Sequence, residues 1–218
     1  MLNKIYKIII LLLLPALSYA QMVAYTINGT VKNAGTAKYA YLGLMTVPKK
    51  LVIVPIQNGK FRFSDQVDLK GEFYDGALLF IDSRNNITME ELSSKLTQHI
   101  WLPNRGNLRS IVIEDIDIEL DSKDNTGLSK VTAGGTLTKL SDELSEAIRS
   151  KASSEFIEKY PDSPVSLNMI KLMVKMYNLP IKSRVEELYP AKKLYYKLSA
   201  RLQATRQGKE LKEKVDNL

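Results

Sequence analysis

The hydrophobic period of this 218-residue chain changes once, at Gly134-Gly135, and this change limits the folds that it can adopt. Before the two glycines, apolar residues alternate or form short blocks, as they do in β-strands. After them, apolar residues recur at spacings of three or four, as along one face of an α-helix. The sequence therefore predicts an α+β protein in which a β part is followed by a helical part.

The β part consists of short predicted strands separated by turns. Asn58-Gly59 lies between two apolar runs and is the strongest short signal for a hairpin, because both residues tolerate positive φ. Many short strands with turns between them predict an antiparallel β-sandwich or barrel over residues 21–134. The predicted strands are Tyr25–Val31, Tyr39–Leu44, Leu51–Ile56, Phe61–Phe63, Ala77–Ile81, His99–Leu102, Ser110–Ile113 and Ile116–Leu120.

Residues 135–218 predict an array of short amphipathic helices after one longer helix. Apolar residues from Leu137 to Phe156 form one stripe, which predicts a helix that ends at Tyr160-Pro161. Ser163-Pro164 then starts a new helix, with serine as N-cap and proline in the first helical position. Further helices are predicted after Ser183, after Pro190 with a stripe of Leu194, Leu198 and Leu202, and after Gly208.

The first 20 residues have the pattern of a secretory signal peptide. Lys4 and Lys7 precede the apolar run Ile8–Leu14, and Ser18-Tyr19-Ala20 supplies small residues for cleavage before Gln21. The apolar run is short for a membrane span, and no cysteine follows it to carry a lipid. We therefore expect an exported protein in the periplasm or cell envelope of a Gram-negative bacterium, without a stable transmembrane segment after cleavage.

Charge and cysteine content narrow the range of functions. The chain has no cysteine, which excludes disulfides and thiol chemistry in these residues. Residues 151–218 contain 14 basic and 8 acidic side chains. Such a segment can contact anionic lipid or an acidic partner, but a solvated, lysine-rich helix surface is the interpretation that we favour. Nucleic acid is not an expected partner of an exported chain.

The sequence offers few groups for catalysis. The only histidine, His99, has no second metal ligand nearby in the sequence, and no nucleophile, phosphate-loop or zinc-protease motif is present. The carboxylates Asp115, Asp117, Glu119 and Asp121 alternate along one segment. Calcium favours such oxygen ligands, but we favour a half-buried strand with acids outward, because a straight strand spreads its ligands too widely. We therefore expect no catalytic residue, no metal, no cofactor and no enzymatic activity.

The order of several phrases resembles a known family. These phrases are YTINGTV, PIQNGKFRF, IEDIDIEL, VTAGG, FIEKYPDSPVSLNMI and KLYYKLSARLQATRQGKELKEKV. Together they resemble the N-terminal region of TlpA/ResA-type envelope thioredoxin-like proteins, which have an alkyl-hydroperoxide-reductase-like fold. The resemblance implies a small β-sandwich of unknown function followed by a helical connector. The CxxC-bearing thioredoxin domain of the family has no counterpart in this sequence, so none of its catalytic residues can be assigned here.

The resemblance and the missing chemistry together favour a non-catalytic accessory or interaction module. A thioredoxin-like or other envelope protein is the expected partner. Leu211, Val215 and Leu218 are the candidate contacts, since nothing later in the sequence covers their apolar stripe. Two alternatives stay open: a truncated or split subunit of a thiol-disulfide oxidoreductase, and a cysteine-independent ligand-binding protein of the envelope. The oligomeric state is not predicted.

The predicted export can be tested by measuring the intact mass of the protein from the envelope fraction of its own host. We expect the mass of a chain whose first residue is Gln21. An N-terminus at Met1 would contradict the predicted cleavage. A mass larger than residues 21–218 would instead favour the oxidoreductase alternative.

Overall fold

A computed structural model describes residues 22–45, 49–177 and 190–218. The predicted signal peptide and the helix predicted after Ser183 lie outside these ranges. Within them the chain is α+β, and the change from strands to helices falls at Gly134-Gly135, as predicted.

The strands are β1 (Met22–Asn33), β2 (Tyr39–Leu44), β3 (Lys50–Pro55), β4 (Lys60–Asp68), β5 (Gly76–Asp82), β6 (Arg109–Val112), β7 (Ile116–Ser122) and β8 (Lys130–Gly134). The α-helices are α1 (Met89–Thr97), α2 (Thr136–Arg149), α3 (Ser153–Lys159), α4 (Pro164–Met176), α5 (Ala191–Tyr195), α6 (Ala200–Ala204) and α7 (Arg206–Asp216), and a 3₁₀-helix spans Lys123–Leu128.

The strands form two four-stranded sheets that share one apolar core. Sheet A has the order β4-β1-β7-β8, and sheet B has the order β3-β2-β5-β6. Buried side chains of both sheets belong to the same cluster, including Ile27 and Phe63 of sheet A and Leu42 and Leu79 of sheet B. The sheets remain separate and do not close into a barrel. The prediction of purely antiparallel strands is wrong in one place, because β1 and β7 pair in parallel.

The predicted hairpin turn at Asn58-Gly59 is present. Both residues have positive φ, and Gln57 and Lys60 exchange two backbone hydrogen bonds of 2.8 and 2.9 Å across the turn. The two strands that the turn connects separate, however, because β3 joins sheet B and β4 joins sheet A. The turn therefore carries the chain from one layer of the core to the other.

Helix α1 was not predicted from the sequence. It covers the face of sheet B that points away from the common core, where Leu92 packs with Tyr41, Leu78 and Phe80. Burial on both faces explains why β2 and β5 are apolar blocks without alternation. The helix begins after Thr88, whose hydroxyl accepts a hydrogen bond from the backbone N–H of Glu91 at 3.2 Å.

The strand predicted over His99–Leu102 is wrong. These residues form the turn that ends α1, and His99 has a φ of 56°. The ring centres of Trp101 and Phe80 lie 5.0 Å apart, and the ammonium of Lys95 lies 4.0 Å from the centre of the Trp101 ring. The apolar residues of this segment therefore pack on the face of sheet B that α1 covers, and they do not pair in a sheet.

The single long helix predicted from Leu137 to Tyr160 is also wrong, because the chain forms α2 and α3 there. Lys151 has a φ of 60°, and the N–H of Ala152 bonds back to the carbonyl of Ala147 at 2.7 Å. This is the hydrogen-bond pattern of a Schellman helix end, which usually contains glycine at the left-handed position. Because lysine occupies that position here, no glycine marks the break in the sequence.

Helices α3 to α7 and part of α2 enclose a second apolar core. The predicted start of α4 is confirmed, since Ser163 accepts a hydrogen bond from the N–H of Val165 and Pro164 is the first helical residue. Leu194, Leu198 and Leu202 are buried as predicted. They do not share one helix, however, because Leu194 lies on α5, Leu198 lies in the turn after it, and Ser199 starts α6 by accepting a hydrogen bond from the N–H of Leu202. Helix α7 begins at Arg206, before Gly208, with Thr205 as its N-cap.

The two parts of the chain are joined at the start of α2. Glu114, between β6 and β7, accepts hydrogen bonds from the N–H groups of Leu137 and Thr138 at 3.1 and 2.6 Å. The Thr138 hydroxyl accepts a hydrogen bond from the N–H of Val112 at 3.0 Å and donates one to Glu114 at 2.8 Å. A carboxylate at a helix N-terminus satisfies free N–H groups and opposes the helix dipole. Glu114 therefore fixes α2 to the edge of sheet B.

We expect the substitution Glu114→Ala to lower the free energy of unfolding by about 1–2 kcal/mol, because two helix N–H groups lose their acceptor. Urea unfolding followed by circular dichroism measures this change. Glu213→Ala is the matched control, since Glu213 is exposed on α7. Equal stability of the two variants would contradict the capping role of Glu114.

Candidate binding surface

The outer face of sheet A is polar and carries a shallow groove. Apolar side chains of β1, β4 and β7, such as Ile27, Phe63 and Ile118, point into the common core. The alternate side chains point outward, and a cavity of about 740 Å³ lies over them. Val54 and Pro55 of β3, Gln57, and Thr132 of β8 contribute to its lining. Six further lining residues carry the outward-facing charged and polar groups of β1, β4 and β7: Asn28, Thr30, Lys60, Arg62, Asp117 and Glu119.

The strand register arranges these six side chains in two rows across the sheet. Asn28 of β1 lies beside Arg62 of β4 and beside Asp117 of β7. In the next row, Thr30 lies between Lys60 and Glu119. Each row therefore runs from a cation on β4, through a neutral side chain on β1, to a carboxylate on β7.

The acidic segment is a half-buried strand, as the sequence indicated. Ile116, Ile118 and Leu120 are buried, and Asp117 and Asp121 are exposed. Among the residues that the structure describes, no group of three or more histidine and carboxylate side chains is placed to hold a metal ion.

Several of these carboxylates bond to β1. Asp115 accepts a hydrogen bond from the backbone N–H of Thr26 at 2.8 Å, and Asp117 accepts one from the side-chain amide of Asn28 at 2.8 Å. Glu119 lies 2.7 Å from the ammonium of Lys32, and this hydrogen bond raises the pKa of the lysine. These contacts tie β7 to β1 in parallel register.

The basic side of the groove was missed by the sequence analysis. Within residues 22–45, 49–177 and 190–218, the side chains of Lys60 and Arg62 form no ion pair or hydrogen bond. The signal was present in the segment Lys60-Phe61-Arg62-Phe63, where buried phenylalanines alternate with outward cations. Only the register shows that these cations face the acids of β7 across β1.

The geometry suits binding better than catalysis. A general acid–base pair needs two titratable groups directed at one reacting atom. Here the cations and the carboxylates stand on opposite sides of β1, and Asp117 and Glu119 already bond to neighbouring side chains. The arrangement can hold a polar ligand with an anionic group at one end and a cationic group at the other.

Two of the three proposed partner contacts near the end of the chain are inaccessible. Leu211 and Val215 are buried in the helical core, with 2% and 0% of their surface exposed. Leu218 is the exposed member, at 38%. The expectation that this apolar stripe lies uncovered is therefore wrong for Leu211 and Val215, because the preceding helices cover it.

Several basic side chains on the surface of the helical part pair with nearby acids. Lys192 and Lys212 both lie near Asp216, at 3.9 and 2.5 Å, and Arg201 pairs with Asp162 at 2.9 Å. Tyr196 is half exposed and donates a hydrogen bond to Asp216, whereas Tyr195 is buried. This pattern is that of a solvated helix surface.

Comparison of this chain with profiles of known protein families, with curated proteins and with solved structures found no match. In the described part of the chain, none of the helices combines the length and the apolar character that a bilayer crossing requires.

Because Leu211 lies in the helical core, we expect Leu211→Ala to lower the free energy of unfolding by about 2–5 kcal/mol. Leu218→Ala is the matched control at an exposed position of the same segment, and we expect a change within about 0.5 kcal/mol. Thermal or urea unfolding of both variants tests this expectation. A stable Leu211→Ala variant would show that α7 does not pack as described.

Proposed function

We propose that this chain is a non-catalytic binding module of the Gram-negative cell envelope, and that the outer face of sheet A is its binding surface. The observation that carries the proposal is the groove in which Arg62 and Lys60 have no side-chain partner among the described residues and lie opposite the carboxylates of β7. Two unpaired cations beside a groove are available to a ligand without breaking any contact of the fold.

The lack of cysteine and the structural use of the acids support a binding role over catalysis. Thiol chemistry is excluded for these residues because the sequence has no cysteine. Asp115 and Asp117 accept hydrogen bonds from β1, so withdrawing them for proton transfer would weaken the β1–β7 pairing. An interaction role agrees with the resemblance to the accessory region of TlpA/ResA-type proteins. A thioredoxin-like partner remains part of this proposal, but its contacts would lie outside the buried Leu211 and Val215.

The proposal can be tested by co-sedimentation of the chain, without its predicted signal peptide, with purified insoluble cell-wall polymer. We expect the wild type to sediment with the polymer. The double variant Lys60→Gln/Arg62→Gln should bind at least about tenfold more weakly, because it loses two charge-assisted contacts.

The matched control is Lys193→Gln/Lys209→Gln, which removes the same charge from two exposed lysines of α5 and α7 that form no ion pair within the described ranges. We expect this variant to sediment like the wild type. If both double variants lose binding equally, the attraction is a general effect of net charge and the groove is not the binding surface. A wild type that stays in the supernatant would argue against this role in the envelope.

A further inference from the structure

We infer that the groove binds a short zwitterionic peptide, with its carboxylate at Arg62 and Lys60 and its ammonium group at Asp117. This inference rests on the proposed function, because it names the ligand class of the same surface. Its basis is the row Arg62–Asn28–Asp117, in which opposite charges face outward on either side of a neutral amide.

The charges at the two ends of this row are open to a ligand. Arg62 has no ion pair or hydrogen bond within the described ranges, and neither does the ammonium of its neighbour Lys60. Asp117 accepts a hydrogen bond from Asn28 at 2.8 Å, but none of the ion pairs in the described ranges involves it. A guanidinium binds a carboxylate through two parallel hydrogen bonds, and a carboxylate is a matching acceptor for an ammonium group.

The neighbouring row, Lys60–Thr30–Glu119, differs from the first in a way that fixes the orientation of the ligand. Glu119 already pairs with Lys32 at 2.7 Å, so among the described residues Asp117 is the acid of the two rows that has no cationic partner. On the β4 side, neither cation has a partner in the part of the chain that the structure describes. A ligand's anionic end therefore has two partners on β4, and its cationic end has Asp117.

The separation of the charges sets the length of the ligand. Neighbouring strands lie about 4.8 Å apart, so β4 and β7 are separated by about 10 Å across β1. An extended peptide spans about 3.3–3.6 Å per residue, so about three residues cover this distance. Between the ends lie Asn28 and Thr30, whose amide and hydroxyl groups can bond to the neutral main chain of such a peptide.

Trialanine is a suitable probe, because it has charged termini and no charged side chains. Titration into the chain without its predicted signal peptide can be followed by amide chemical shifts. We expect shifts at the outer face of sheet A, and binding at least about tenfold weaker for trialanine that is acetylated and amidated. Arg62→Gln should weaken binding by a similar factor, and Arg62→Lys by less.

Singly capped peptides assign each end of the ligand. Asp117→Asn should weaken binding of trialanine but should have no further effect on the N-acetylated peptide, which lacks the ammonium group. Arg62→Gln should likewise have no further effect on the amidated peptide. If each substitution weakens all four peptides equally, or if free and doubly capped trialanine bind equally, the inference is overturned.

The same probe separates the inference from the proposed function. If the chain sediments with wall polymer through Lys60 and Arg62 but trialanine neither binds nor competes, the binding role stands and the zwitterionic peptide is wrong. Competition by trialanine would support a peptide-bearing wall polymer as the source of the ligand. If trialanine binds with the expected dependence on both ends but the chain does not sediment, the ligand is a soluble peptide and the inference stands.

Discussion

The parallel pairing of β1 with β7 is the constraint on which the rest of the structure depends. Parallel neighbours cannot be joined by a tight turn, so a long connection must separate them in the sequence. Here the intervening chain builds all of sheet B, strand β4 and helix α1 before it returns to β7. The two-layer core is therefore completed only when β7 reaches β1, and Asp115, Asp117 and Glu119 supply side-chain bonds that hold it there.

These bonds also determine what the outer face of sheet A can do. The acids of β7 serve the pairing with β1, whereas the cations of β4 have no structural partner within the described part of the chain. An edge strand can keep unpaired charges because they remain in water, and such charges also discourage pairing with other chains. The same side chains can thus protect an edge and bind a ligand, and the proposed function depends on the second use.

The helical part depends on the β part through specific polar contacts. Glu114 caps α2, and Arg109, almost fully buried on β6, binds Asp142 of α2 through both of its terminal nitrogens. At the other side, the carbonyl of Gly71 in the β4–β5 loop accepts a hydrogen bond from Gln207 of α7 at 2.5 Å. Contacts at both ends of the helical array fix it to the sheets, and the apolar face of α7 is covered while its charged face is exposed.

The sequence by itself determined the α+β class, the change of structure at Gly134-Gly135, most strands and the half-buried acidic strand. These features follow from local period and turn chemistry, which each segment carries in its own residues. Tertiary structure alone decided the parallel β1–β7 pair, the cover of α1 over Tyr41 and Phe80, and the burial of Leu211 and Val215. It also decided the composition of the groove, because Arg62 and Asp117 are far apart in the chain and only strand register places them on either side of Asn28. An apolar or charged residue specifies what kind of neighbour it needs, but only the packed chain specifies which neighbour it has.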